Sequence, residues 1–137
     1  MNILLVKPNE EPVLMEIDGD LASMQKAVGG LIEVITPYDD PIILVCNEAG
    51  KINNMEPNRP IMDVSGDISD VIFGDFFLAG DGGDDIESIP QEYIDRYTEL
   101  FSLKNKDKEM GEMQALDNKG LMEAKMIFIV SEDSPFR

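Results

Sequence analysis

The chain has 137 residues, 43% of them hydrophobic, and a formal net charge of -17, a globular composition long enough for one domain with its own core. It contains no histidine and a single cysteine, which excludes an internal disulfide, imidazole acid–base catalysis and the usual zinc sites. Like charge at this density repels duplex phosphates, and the longest apolar runs, Ile42 to Cys46 and Met126 to Val130, are too short to span a bilayer.

Ile3 to Val6 reads as a buried strand stopped by Pro8, and Asn9-Glu10-Glu11-Pro12 as a turn leading into a second strand, Val13 to Ile17, so the chain is expected to open on a hairpin. No basic segment followed by a signal-type core precedes it, which predicts a protein that stays in the cytoplasm where it is made. Asp20 is a good N-cap for a helix over Leu21 to Val28, whose Leu21, Met24 and Val28 share a face. Gly29 suits the left-handed residue after the helix end.

Ile32 to Thr36 alternates around Glu33 and reads as a strand. Ile42 to Cys46 is apolar throughout and belongs in the middle of a sheet, with Cys46 as a small core residue. Asn47-Glu48-Ala49-Gly50 reads as a four-residue turn, and Lys51-Ile52-Asn53 as the short returning strand. Residues 54 to 70 carry Pro57, Pro60 and Gly66 and read as a connection. Asp70 to Phe73 is expected to make one helical turn before Phe76 to Ala79 forms another core strand.

Gly80 to Asp85 reads as an exposed acidic loop. A second helix is expected over Ile89 to Leu103, capped by Ser88, with Tyr93, Ile94, Tyr97, Leu100 and Phe101 as its apolar stripe. Lys104, Lys106 and Lys108 then face the negative end of its dipole. Asp107 to Lys119 reads as a frayed helix, Met126 to Val130 as a last strand and Ser131 to Arg137 as a tail. The fold expected is α+β: a single domain over 1–103, a mixed or mostly antiparallel sheet of about six strands with two main helices. Residues 104–137 form a C-terminal extension, and its Met110, Met113, Leu116 and Met122 are candidates for burial in a homodimer.

Between Pro8 and Asp95 there are three cations, Lys26, Lys51 and Arg59, and they fall in one stretch. Lys51 and Arg59, on or beside one predicted hairpin, make the sharper pair for holding a phosphate or carboxylate. Asn47, Glu48 and Asn58 surround them in sequence as hydrogen-bonding groups, and Gly29-Gly30 offers close backbone approach. No phosphate-loop or dinucleotide fingerprint is present. From Pro60 to Asp95 the acidic side chains Asp63, Asp67, Asp70, Asp75, Asp81, Asp84, Asp85, Glu87, Glu92 and Asp95 stand without a single cation. That face serves solubility, or imitates nucleic acid, or meets a basic partner.

The pattern Met24-Gln25, Val28-Gly29-Gly30, Ile32-Glu33, Pro37, Asp40, Cys46-Asn47-Glu48, Gly50-Lys51, Asn58-Arg59 and Gly74 resembles a family of small domains of unknown function found in phages and conjugative elements. The resemblance spans roughly residues 1 to 80. It implies an accessory protein of such an element, working in the host cytoplasm, and places Gln25, Gly29, Gly30, Glu33, Asn47, Glu48, Lys51, Asn58 and Arg59 in the characteristic blocks. Small acidic proteins of that origin often counter host defence. Three activities follow as expectations: non-catalytic sequestration of a small nucleotide-type signal, inhibition of a host protein by an acidic or DNA-mimicking surface, or metal-dependent degradation of a nucleotide signal through Asp39-Asp40 or Asp84-Asp85. The first is the leading one, with no cofactor and no bound metal.

Overall fold

The period-two patterning of the apolar runs decides the architecture. In this computed structural model, which describes residues 1–107, Leu4, Val6, Ile42, Leu44, Cys46, Phe76 and Leu78 point to one face of a sheet. Ile3, Ile43, Val45, Phe77 and Ala79 point to the other. The strands are β1 (Asn2–Val6), β2 (Val13–Glu16), β3 (Ile32–Ile35), β4 (Ile42–Asn47), β5 (Pro57–Met62), β6 (Ile68–Phe73), β7 (Phe76–Asp81) and β8 (Ile86–Glu87). The helices are α1 (Leu21–Val28) and α2 (Gln91–Leu100).

The main sheet runs β2-β1-β7-β4-β3 with β8 also paired to β7, and β5 and β6 form a separate two-stranded sheet. Every pairing is antiparallel. The protein is therefore an α+β domain with a six-stranded antiparallel sheet and two main helices, as its sequence pattern predicts. α1 covers one face through Met24 and Val28. α2 covers the other through Tyr97, with Ile89, Phe101 and Ile61 and Ile72 of the small sheet. Because both faces are covered, every residue of β4 is buried, which is why its sequence shows no alternation.

α1 has the expected bounds, and the opening hairpin forms with β1 starting one residue earlier and β2 ending one residue earlier than expected. Asp20 Oδ1 accepts from the Ser23 amide at 2.8 Å, a bond that holds its carboxyl below the usual range. Gly29 closes the helix at φ +79°, where its amide and that of Gly30 both reach back to the Gln25 carbonyl.

Between residues 47 and 88 the chain departs from expectation. Lys51 to Asn53 make no strand: bonds from Asn53 N to Ala49 O and from Met55 N to Gly50 O coil this stretch into successive turns, and β3 takes the place beside β4. The expected connection over 54–70 contains β5 and leads into β6, and the expected helical turn over 70–73 lies within β6. Two prolines, Pro57 and Pro60, stand in β5; a strand with one partner tolerates them because one edge needs no donors. The acidic loop begins later than expected, since β7 continues through Gly80 and Asp81 to pair with β8. Ser88 does not cap α2; its Oγ accepts from the Asn2 amide at 2.9 Å, and Pro90 precedes the helix with no side-chain cap. α2 ends at Leu100, three residues short of the expected bound, and a further helical turn spans 103–107. The frayed helix from 108 on, the strand over 126–130, the tail and the methionines expected in a dimer lie outside the described residues.

Leu78 on β7 stands between Leu4 of β1 and Leu44 of β4 and is fully buried. Leu78→Ala is expected to cost about 2–5 kcal/mol, read as a lower midpoint in urea unfolding with an unchanged slope.

Candidate functional site

The two cations expected to share an anion are engaged inside the fold, each with its own partners. Lys51 Nζ lies 3.0 Å from Asp70 Oδ1 on β6, and both side chains are largely buried. Arg59 is 1% exposed. Its Nε donates to the Phe101 carbonyl at 3.0 Å, Nη1 to Asn58 Oδ1 at 2.8 Å and Lys7 O at 3.4 Å, and Nη2 to Glu10 O. Asn58, fully buried, donates through Nδ2 to Val6 O and Gly74 O. This pair fastens β5 to the start of the β1–β2 turn and to the end of α2. The expected Lys51–Arg59 ligand pair is thereby replaced by two internal anchors.

Of the remaining expected site residues, Asn47 also acts locally. Its Oδ1 accepts from the Ala49 amide and its Nδ2 donates to Val28 O. That brings the amide over Gly30, where a Cβ would lie 2.8 Å from Nδ2, so Gly30 is small to admit Asn47. Asn47, Gly29 and Gly30 are thus brought together as the junction of α1 and β4, with Gln25 joined through its carbonyl. Glu33 lies across the β3–β4 ladder, its Oε1 3.8 Å from Cys46 Sγ. Glu48 is exposed.

Lys26, the least favoured of the three cations in the sequence, faces an open groove. It lines a depression of about 510 Å³ with Lys7, Glu10, Gly29, Met55, Glu56 and Asp75, and an adjoining one of about 410 Å³ shares Lys7, Lys26, Ala27 and Asp75. Burial pushes the Asp75 carboxyl up, against the lowering effect of Lys7. Lys7 carried no signal in the sequence because it stands alone at a strand end, 19 residues from Lys26.

On the α2 side, a cleft of about 500 Å³ is lined among others by Tyr38, Asp39, Asp40, Asp63, Arg96, Tyr97 and Glu99. Asp40 organises it: its Oδ2 accepts from Tyr97 Oη at 2.6 Å and from Arg96 Nη1 at 3.0 Å. Tyr38 leans on Tyr97 with centroids 5.2 Å apart. Burial, the bond to Asp40 and that carboxylate's charge raise the Tyr97 phenol well above the ordinary tyrosine range. The cleft joins residues 57 apart in sequence, which is why Asp39-Asp40, Asp63 and Tyr97 stand in the sequence only in separate roles. Four carboxylates against one guanidinium leave it net negative.

Of the carboxylate pairs considered for a metal, Asp40 is thus bonded to Tyr97 and Arg96, and Asp84-Asp85 stand in an exposed turn. Among the described residues no group of three His, Cys, Asp or Glu side chains is placed to hold a metal ion, and no helix is long and apolar enough to cross a membrane.

A family model described as a domain of unknown function, DUF3846, matches residues 1–102. The chain belongs to this family. No curated protein and no solved structure matches it. The matched DUF3846 span takes in both sheets, both helices and the Arg59 network, so the anchors and the cleft, apart from Asn105 at its rim, lie within the family's domain.

Two outcomes test this geometry. Arg59→Met should destabilise the DUF3846 domain by about 2–4 kcal/mol, since it strands the buried Phe101 carbonyl and Asn58 Oδ1 and the part-buried carbonyls of Lys7 and Glu10; Lys26→Met should stay within about 0.5 kcal/mol. Because the folded state holds the Tyr97 proton more tightly than the unfolded one, its contribution is complete below about pH 10 and is lost as pH rises beyond. Stability of the wild type should therefore fall more steeply above pH 10 than that of Tyr97→Phe, measured by urea unfolding across alkaline pH.

Proposed function

We propose that this protein acts by binding, without chemistry of its own, and that its partner is a basic protein whose lysine or arginine side chain enters the Tyr38–Asp40–Glu99 cleft. The observation carrying this reading is the cleft itself: four carboxylates and the tyrosine pair Tyr38 and Tyr97 around one guanidinium already tied to Asp40. A cation gains there from the carboxylates and from the half-buried ring of Tyr38, which the buried Tyr97 backs. The net charge of -17 adds long-range steering toward a basic surface. In the setting that the sequence resemblance implies, a phage or conjugative element, the partner is a basic host defence protein met in the host cytoplasm.

Sequestration of a small nucleotide-type signal is a second reading, and its specific support is that Lys7 and Lys26 line both adjoining grooves. Glu10, Glu56, Asp75, Glu16 and Asp18 line the same grooves, so a polyphosphate meets more carboxylates than amines there, and the cleft reading is the stronger.

The test is fluorescence anisotropy with a labelled oligolysine peptide. Binding should weaken roughly tenfold or more between 50 and 300 mM salt and should weaken again in Asp39→Asn/Glu99→Gln. It should hardly change in Asp84→Asn/Asp85→Asn, which removes the same charge elsewhere. Equal losses in the two double variants would show diffuse charge attraction and sink the cleft. Thermal stabilisation by linear or cyclic adenine and guanine nucleotides, abolished in Lys7→Ala/Lys26→Ala, would favour the second reading instead.

A further inference from the structure

The end strand β2 exposes apolar side chains on both faces, with Glu16 beside Leu14 on one of them, and is uncovered among the described residues. Val13, Leu14 and Met15 are 55%, 48% and 44% exposed. Leu14 stands opposite Leu4 on the α2 face, while Val13 and Met15 stand opposite Leu5 and Ile3 on the α1 face. The backbone of this strand is open too. Met1 and Ile17 exchange both hydrogen bonds, at 2.7 and 2.9 Å, and antiparallel ladders alternate. Leu14 and Glu16 therefore turn their N–H and C=O groups to the outer edge. A bare apolar edge of this kind is an invitation to another strand.

The chain itself supplies a fitting one, and its path leads there. After α2 the backbone is fastened beside the β1–β2 turn: the Leu103 amide donates to Glu11 Oε1 at 2.7 Å, and Lys106 Nζ to Asn9 Oδ1 at 3.1 Å. It thus passes beside the residues that lead into Val13. Of the sequence beyond, Met126-Ile127-Phe128-Ile129-Val130 is β-branched and aromatic, without charge, proline or glycine. Its side chains are apolar on both faces, matching the two-sided exposure of β2. Residues 108–125 reach up to about 60 Å when extended, against roughly 13 Å for the length of β2.

We propose that residues 126–130 of the same chain add to the main sheet along the outer edge of β2, extending it by a strand. The occupant covers Leu14 on one face and Val13 and Met15 on the other, and the amides of Leu14 and Glu16 gain acceptors. This interaction is independent of the acidic cleft.

Amide exchange measured by NMR on the full chain tests it. The Leu14 and Glu16 amides should be protected at least tenfold beyond their intrinsic rates, and Phe128→Pro should abolish that protection while the Leu78 amide of the core strand keeps its own. Should that proline variant fail to fold, as the Leu78 amide would reveal, Ile127→Lys/Ile129→Lys serves in its place with the same expected loss. Intrinsic-rate exchange of Leu14 and Glu16 in the wild-type chain overturns the proposal, as does protection that survives both variants. Protection that appears only as concentration rises and the mass doubles also overturns it, in favour of pairing between two copies.

Discussion

The buried guanidinium of Arg59 is the constraint on which the rest of this structure depends. It lies inside the domain and draws together the Phe101 carbonyl, the Lys7 and Glu10 carbonyls and the Asn58 side chain. Those acceptors belong to the end of α2, the β1–β2 turn and β5, three pieces that no strand ladder joins. Carbonyls at a turn and at a helix end are the groups that secondary structure leaves without partners. A flat, always-charged fork with five donors satisfies several of them at once, which a lysine cannot do. The position of α2 over the sheet, and with it the cleft between α2 and the Tyr38–Asp40 turn, follows from that fastening.

Asn58 makes the arrangement more than a single anchor. With one side chain it donates to Val6 and Gly74 and accepts from Arg59, so the end of β1, the β6–β7 turn and the guanidinium form one connected network. Buried polar networks are stable when every member is satisfied and costly when one is not. The neighbouring Asn-Arg dipeptide is therefore a single structural unit, and its network gives this block of the sequence a structural role.

That is also the limit of what the sequence reveals here. Elements set by local rules are legible: α1 shows its Asp20 cap, its apolar stripe and its Gly29 stop, and β1, β4 and β7 show apolar runs that only a covered sheet accommodates. The β5–β6 ladder is hidden, because two prolines and Gly66 resemble a connection, and what overrides that local preference is burial of Ile61 and Ile72 in the core cluster on the α2 side of the main sheet. The cation pair misleads for a related reason. In a chain this acidic a lysine or arginine is conspicuous, but conspicuous charge has two uses, and only tertiary contacts distinguish them: Lys51 meets Asp70 across 19 residues and Arg59 meets Phe101 across 42. The cleft was missed from the opposite direction, since its carboxylates look ordinary in sequence and become a site only where Asp40 meets Tyr97.

The same distinction bears on the acidic stretch from Asp63 to Asp95. A surface that imitates a nucleic-acid backbone requires carboxylates held outward at regular spacing, as phosphates are. Several here turn inward to their own backbone or to a partner instead. Asp63 accepts from the Ser65 and Asp67 amides, Asp81 from the Gly83 amide, and Asp70 from both the Val71 amide and Lys51. These are turn-closing and pairing duties of the kind aspartate performs in any fold, and they break any regular array. The cleft carboxylates are a separate group: Asp39, Asp40 and Glu99 lie outside this stretch, and Asp63 joins them beside Tyr38 while also closing its own turn. The proposed recognition of single basic side chains in a defined cleft therefore fits these contacts better than broad imitation of a polyanion, and solubility and steering are the roles that reading leaves to the remaining acidic surface.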